Sequence, residues 1–257
     1  MKRLILLFAV VIAASLSVKA QLLGDGSIAN PYRGTLAGNF TISGIKYFDG
    51  DIIADNETLT IAAGTTLISL NNQAGIIING TGQINASGTK SRRIWFTADL
   101  DLDGIYGEAT DSWGNISVMS SGTSILNFCI IERGRRTDPG PTSFGGGLYL
   151  ATSSISVINS VIRNCRALYG GGIAVAGSAS PVISGCTLTD NVANQQGGGI
   201  YITTGSSPAI SNVILNRNSS LSSTLKGGTI VSLNISPVIV NSTIAYSNAR
   251  VADGKAV

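Results

Sequence analysis

The chain contains no histidine, and charged residues make up only 12% of its 257 positions. Histidine is the commonest general base at neutral pH and the commonest metal ligand, so reactions that depend on it are excluded. The three cysteines show no Cys/His spacing of a metal site. There is also no nucleophile elbow and no phosphate-binding loop. The sequence therefore names no reaction.

Glycine is abundant instead, at 32 residues, and much of it lies in a phrase that recurs in the second half of the chain. The four copies start 25, 27 and 30 residues apart, at Gly145, Gly170, Gly197 and Gly227. A second phrase keeps the same phase, with starts at Phe128, Asn159, Gly185, Asn212 and Asn241. Self-similarity at this period predicts a solenoid.

A third phrase starts at Pro181, Pro208 and Pro237, between the other two. Each coil thus contains three short β-type segments separated by Gly, Pro, Asn and Ser, and no segment keeps a helical period. The sequence predicts an all-β fold, a β-solenoid with three strands per coil. Asn at the start of the last strand favours a left-handed bend, and stacked Asn amides can hydrogen-bond along the axis.

Several motifs carry a resemblance to a known group of proteins. They are Arg93-Ile94-Trp95-Phe96-Thr97, Trp113-Gly114-Asn115-Ile116, the segment 127–132, the Gly-Gly-Gly-Ile phrases and Pro181-Val182-Ile183. Over roughly residues 50–257 the chain resembles the right-handed parallel β-helix, or pectin-lyase-like, superfamily. Within it, the chain is similar to secreted bacterial surface proteins and to polymorphic outer-membrane proteins. The shared motifs are structural, so the resemblance implies a fold and leaves the activity open.

The first 20 residues are typical of a signal peptide. Lys2 and Arg3 precede an apolar run at residues 4–14, and Val18-Lys19-Ala20 offers small residues for cleavage. We therefore expect a secreted protein or one on the bacterial outer surface, with no transmembrane segment in the mature chain. Without residues 1–20, 14 Lys and Arg face 14 Asp and Glu, which removes the electrostatic basis for nucleic-acid binding.

The remaining chain divides into a cap and a solenoid. Residues 21–50 lack the repeat and are expected to cover the first coil, while residues 51–257 form the parallel β-helix. Gly254 aligns with the start of another Gly phrase. This alignment predicts that the β-helix is truncated at residue 257, or that a partner covers its open end. The missing part can include the outer-membrane sorting domain that the resemblance implies.

One segment has the spacing of a metal site. Asp99, Asp101 and Asp103 alternate before Gly104, as at the start of an EF-hand-type calcium loop. Thr110 occupies the twelfth position, where such a loop has Glu, although Glu108 and Asp111 lie close by. Two interpretations remain open: a structural Ca²⁺ that orders the loop, or a solvated acidic loop without a metal. No other cofactor is expected.

Two classes of function fit the sequence. The first is an exported non-catalytic β-helix, a surface or adhesion module that binds a polysaccharide or a cell-surface protein. Tyr149 and Tyr201 are its best glycan-binding candidates, since both point outward about 10 Å apart with Ala174 between them. The alternative is a polysaccharide lyase or glycoside hydrolase relative whose catalytic coils are degenerate or missing. Asp190, near Arg163 and Arg217, is its only candidate remnant, and we predict no catalytic residue.

Overall fold

The computed structural model describes residues 21–138, 143–222, 227–246 and 248–249. The predicted signal peptide and the predicted new coil at Gly254 lie outside these residues. All regular structure within them is β-strand. No helix in this part of the chain has the length and apolar character needed to cross a membrane.

The strands follow the coils in chain order. The early coils contain β1 Tyr32–Thr35, β2 Phe40–Ile42, β3 Ile45–Ala54, β4 Thr58–Ile61, β5 Thr66–Ser69, β6 Ile76–Ile78, β7 Gln83–Ser87, β8 Ile94–Ala98 and β9 Ile116–Val118. The central coils contain β10 Thr123–Asn127, β11 Cys129–Glu132, β12 Arg135–Arg136, β13 Leu148–Ala151, β14 Ser154–Ile158, β15 Val161–Arg163, β16 Arg166–Tyr169, β17 Ile173–Ala176, β18 Val182–Ser184, β19 Thr187–Thr189 and β20 Val192–Gln196. The last coils contain β21 Ile200–Ile202, β22 Ala209–Ser211, β23 Ile214–Asn216, β24 Ser219–Ser220, β25 Ile230–Ser232, β26 Val238–Val240, β27 Thr243–Ala245 and β28 Asn248–Ala249.

These strands stack in parallel as ladders along one axis. The glycine face is β6-β9-β13-β17-β21-β25, the second face is β2-β4-β7-β10-β14-β18-β22-β26, and the third face is β5-β8-β11-β15-β19-β23-β27. The ten-residue strand β3 pairs with β5 through its first half and with β6 through its second half, so it joins the glycine face to the third face. The parallel β-helix with three strands per coil is confirmed.

A fourth, short ladder completes the later coils. It is the turn ladder, β12-β16-β20-β24-β28, whose strands are two to five residues long. Its residues come from the segment between the third face and the next Gly phrase, where the three predicted strands per coil include none. Its strand β16 ends at Tyr169, directly before Gly170 of the glycine phrase.

The core consists of aliphatic rows that run from coil to coil. Leu148 pairs with Ile173 and Ile173 with Ile200, and all three side chains are fully buried. Each fully buried Leu or Ile side chain contributes about 1.5–3 kcal/mol to stability through removal of apolar surface from water. The same register leaves Tyr149, Ala174 and Tyr201 in one outward column. The stacking predicted from the repeats is therefore confirmed.

Left-handed backbone marks the bends of each coil. Gly170 has φ +67°, and a Cβ there would collide with the carbonyl oxygen of Ile173. The bend before the last strand has φ near +50° at Asn159, Asn212 and Asn241, as predicted from the Asn column. A second left-handed column follows the third face, at Arg133, Asn164, Asp190, Arg217 and Tyr246.

The segment 21–50 lies at the N-terminal end of the solenoid. Antiparallel bridges join Leu23 to Arg33 and Ser27 to Asn30, a pairing seen nowhere else among the described residues. The same segment already contributes to the first coil, because β1 pairs with β3 and β2 pairs with β4. Residues expected only to cover the core thus also belong to its first turn.

Candidate functional site

Four aromatic side chains lie together on the outer surface of the glycine face, and we call them the aromatic cluster: Phe144, Tyr149, Tyr169 and Tyr201. Phe144 stacks on Tyr149 with ring centroids 5.9 Å apart and on Tyr169 at 5.2 Å. Tyr201 packs against Tyr169 at 5.1 Å and against Phe144 at 6.1 Å. These separations lie in the range where aromatic pairs attract beyond simple burial.

The cluster fills the space that the small side chain of Ala174 leaves in the outward column. Ala174 is fully buried, and the ring of Tyr201 retains only 6% exposure because Phe144 and Tyr169 cover it. Tyr149, Phe144 and Tyr169 remain partly exposed. Burial raises the pKa of both Tyr149 and Tyr201, which keeps their hydroxyl groups protonated at neutral pH. The accessible part of the cluster is therefore the Tyr149, Phe144 and Tyr169 side.

Phe144 and Tyr169 were missed by the sequence analysis, which considered only the outward column. Both residues directly precede a Gly phrase, at Gly145 and Gly170, and they pair with each other in a parallel bridge. Gln196 occupies the same position before Gly197 and pairs with Tyr169. The position directly before each Gly phrase could have revealed these two residues in the sequence. It follows the turn ladder and leads onto the glycine face.

The predicted acidic residues form one loop between β8 and β9. One oxygen from each of Asp99, Asp101 and Asp103 lies within 4.8 Å of the others. Asp99 is buried, whereas Asp101 and Asp103 are exposed. Burial raises the pKa of Asp99, and the neighbouring carboxylates of Asp111 and Asp103 add to the effect. The loop thus concentrates negative charge around a poorly solvated carboxylate.

Asp111 and Glu108 have different positions in this loop. Asp111 is buried, and its two oxygens accept hydrogen bonds from the N–H of Leu100 (2.9 Å) and of Glu108 (3.0 Å). It therefore ties the beginning of the loop to its end. Glu108 is half-buried, and the charge of Asp103, followed by desolvation and by Asp101, raises its pKa.

The carboxylates of the later coils are held by arginines. Asp190 forms a bidentate pair with Arg217, at 2.7 Å to Nε and 2.8 Å to the terminal nitrogen. Arg163 does not join it, contrary to the expected grouping, but pairs with the buried Glu132 at 2.6 Å. Glu132 also accepts a hydrogen bond from the Thr97 hydroxyl at 2.9 Å. Arg163 takes this partner because Val161–Arg163 pairs in register with the strand that ends at Glu132.

The three cysteines are free and buried in the core. Burial raises the pKa of Cys129 and Cys165 to about 12 and that of Cys186 to about 11. Nucleophilic reactions of cysteine require the thiolate, which is scarce at such pKa values at neutral pH. The cysteines are therefore core residues and make no candidate active site.

Two polar clefts lie beside the acidic loop. The larger, of about 360 Å³, is lined by Leu100 and Thr110 of the loop. Arg135 of the turn ladder and the nearby Thr137 line it as well. The smaller, of about 210 Å³, contains Arg133, Arg135, Arg166 and Asp190. Arg133, Arg135 and Arg166 thus meet across adjacent coils, next to the acidic loop.

The comparisons with known proteins agree with the architecture. The family described as "Right handed beta helix region" matches residues 33–214 and, in a second alignment, residues 146–252. The searches of curated proteins and of solved structures returned no match. The two alignments cover most of the chain and include the aromatic cluster, the acidic loop and all four ladders. The chain belongs to the right-handed β-helix family.

Proposed function

We propose that this protein is an exported, non-catalytic β-helix that binds a glycan through the aromatic cluster. The observation that carries the proposal is the partly exposed group of Tyr149, Phe144 and Tyr169 on the outside of a long parallel sheet. Aromatic rings combine a large apolar surface with a polar edge, which suits the alternating CH and OH groups of a sugar. Tyr149 lies on β13 and Tyr169 on β16, so the spacing of the coils fixes the positions of these two rings.

Polar groups elsewhere on the outer surface favour a polar ligand. The polar clefts beside the acidic loop offer hydrogen-bond donors and acceptors, among them Arg135, Thr137 and Gln73. Polar groups that fix orientation, combined with apolar contacts, are typical of small-molecule and sugar sites. Tyr201, which is covered by Tyr169 and Phe144, supports the exposed rings from below and is not itself a contact residue in this proposal.

The state of the two carboxylates on the later coils, Glu132 and Asp190, supports binding without cleavage. Glycoside hydrolysis uses two carboxyl groups that flank one bond, one of them free to give a proton. Glu132 is buried between Thr97 and Arg163, and Asp190 is held by Arg217 through both oxygens. Hydrogen bonding to Arg217 is the main cause that lowers the pKa of Asp190, which disfavours a role as proton donor.

Export is part of the proposal and rests on the N-terminal sequence. The basic Lys2 and Arg3, the apolar run at residues 4–14 and the small residues at 18 and 20 are typical of a cleaved signal peptide. The low charge content agrees with a stacked β protein made for the cell exterior. An exported protein would meet glycans of the cell surface or its surroundings, so we propose such a glycan as the ligand.

A glycan array with the mature protein tests the proposal. We expect saturable binding to at least one polysaccharide, and Tyr149→Ala should weaken it about 10-fold, or about 1.4 kcal/mol, through loss of the ring contact. Tyr246→Ala is the matched control because Tyr246 is 81% exposed and lies outside the cluster. Binding that is equal in wild type, Tyr149→Ala and Tyr246→Ala, or absent for every glycan, contradicts the proposal. Retention of a surface protein instead would favour an adhesion partner of protein nature.

A further inference from the structure

The acidic loop at residues 99–111 contains a buried carboxylate with an unsatisfied oxygen. Asp99 is 2% exposed, and its Oδ2 accepts a hydrogen bond from the N–H of Gly104 at 3.2 Å. Its Oδ1 is buried and has no hydrogen-bond partner among the described residues. A buried carboxylate oxygen without a partner is costly, so native structures usually satisfy it with a donor, a water or a cation.

The Asp99 carboxylate lies next to two other carboxylates. One oxygen of Asp99, Asp101 and Asp103 each lies within 4.8 Å of the others, so a single ion can reach all three residues. The ion pairs between described residues all involve other acids, namely Asp49, Glu132 and Asp190. Arg133 lies close, but its Nε donates to the carbonyl of Gly107 at 2.7 Å and leaves these carboxylates unpaired.

The backbone of the loop is already folded around this point. Leu102 and Gly104 have φ +61° and +83°, which turns the chain so that alternate carboxylates converge. The Asp103 carboxylate fixes the turn by accepting from the N–H of Ile105 at 2.8 Å, and Asp111 closes the loop through Leu100 and Glu108. Both oxygens of Asp111 thus hold the loop closed, and Asp111 is not free to bind a metal ion.

We propose that Asp99, Asp101 and Asp103 bind one Ca²⁺, with Glu108, backbone carbonyls and water available to complete its shell. Calcium accepts six to eight oxygen ligands at flexible angles, whereas Mg²⁺ requires near-ideal octahedral geometry and loses water reluctantly. The spacing of the three aspartates before Gly104 is that of an EF-hand loop, and only the terminal Glu is missing. With one strong ligand fewer, the affinity should be that of extracellular calcium modules, about 10⁻⁴–10⁻³ M.

The bound ion ties the loop to the solenoid. Gly107 packs against the carboxylate of Glu132, and a Cβ at Gly107 would approach Glu132 Oε1 to 2.5 Å. The loop thus rests on the third face between its anchor points at β8 and β9. Neutralising its charge stabilises this contact and raises the thermal stability of the folded chain.

Calorimetry and thermal unfolding of the full mature chain test the site. After treatment with EDTA and dialysis, CaCl₂ should bind with a stoichiometry of about one. At 100 times the Kd, calcium should raise Tm by roughly 5–10 °C. Tb³⁺ should give emission sensitised by Tyr106, which lies in the loop, and CaCl₂ should displace it.

Paired variants decide whether the ion binds at this loop. Asp101→Asn with Asp103→Asn should abolish the calcium heat and the Tm rise while Tm without calcium stays the same or increases, since both side chains are exposed. Asp55→Asn with Asp138→Asn removes the same charge outside the loop and should leave both responses intact. An absence of heat and of Tb³⁺ emission at millimolar Ca²⁺, or an equal loss in both double variants, overturns the proposal.

Discussion

At the scale of single residues, two arginine–carboxylate pairs lie on neighbouring coils and differ in burial. Glu132 is only 3% exposed and is shared between Thr97 and Arg163. Arg163 also lies over the ring of Trp95, 5.6 Å from its centroid, which favours the cation further. Asp190 and Arg217 form a pair with better bidentate geometry, yet both side chains are substantially exposed. Burial, more than the short distances, decides how much each pair contributes to the stability of the fold.

Arg163→Ala should therefore cost more stability than Arg217→Ala. Removing Arg163 leaves the buried Glu132 carboxylate without its cation, and because the Arg163 side chain is itself 39% exposed we expect a loss of about 2 kcal/mol, between the values for exposed and fully buried pairs. Removing Arg217 breaks an exposed pair worth about 0–1 kcal/mol. Urea denaturation of both variants measures the difference. Equal losses of unfolding free energy would show that Glu132 is not the buried anchor described here.

At the scale of the elements, asparagines occupy two columns with different roles. Asn159, Asn212 and Asn241 adopt the left-handed bend before the third face. Asn191 and Asn218 instead lie fully buried and form the amide ladder along the axis. The Nδ2 of Asn191 donates to Asn218 Oδ1 at 2.9 Å, and its Oδ1 accepts from the N–H of Cys165 at 3.0 Å. Axial amide bonding was predicted for the bend column, where Asn159 Nδ2 donates to Asn127 Oδ1 at 3.2 Å; the buried Asn191–Asn218 bond lies in a second column that was not predicted.

Substitution separates the two roles. Asn191→Ala should lower the free energy of unfolding by about 3 kcal/mol, because it leaves a buried N–H and a buried carbonyl without partners. Asn212→Gly should change it by no more than about 0.5 kcal/mol, since glycine adopts the left-handed bend freely. Urea denaturation again provides the measurement. A large loss for Asn212→Gly together with a small one for Asn191→Ala would reverse the assignment of the two columns.

The repeats predicted the inward rows of the core, which depend on residue pattern. They did not predict the turn ladder or the burial of Tyr201, which depend on how separate segments pack. The inward row through Leu148, Ile173 and Ile200 follows directly from alternation along a strand and phase between coils. The turn ladder was missed because its strands are short and its sequence varies between copies. Burial of Tyr201 could not be predicted from its own column, since its neighbours come from elsewhere: Tyr169 ends β16 of that ladder, and Phe144 forms an isolated bridge with Tyr169.

The acidic loop shows the same division between pattern and packing. The spacing of Asp99, Asp101 and Asp103 predicted their convergence, because alternate residues before a turn-forming Gly104 point to one side. The hydrogen bonds that Asp111 accepts from Leu100 and Glu108 depend on the path of the loop in space, so the spacing alone could not predict them. The same holds for the unsatisfied oxygen of Asp99, which arises only when that side chain is buried against the solenoid.

At the scale of the whole molecule, the described residues form a stack of parallel coils that carries two features on its outside. One is the aromatic cluster on the glycine face, and the other is the acidic loop between β8 and β9. The core rows and amide ladder hold the coils in fixed register, so ligand groups can be arranged without loop rearrangement. Such a scaffold suits recognition of an extended polymer, which is the function proposed for this protein.

The most direct test of this account follows the glycan that the mature protein binds best. Calorimetry gives its affinity, and mass spectrometry of the same sample after prolonged incubation, with and without CaCl₂, shows whether the glycan is still intact. We predict saturable binding with full recovery of the uncleaved glycan. Shortened or unsaturated products that disappear in Asp190→Ala would contradict the account and assign the protein to the polysaccharide-cleaving members of its fold.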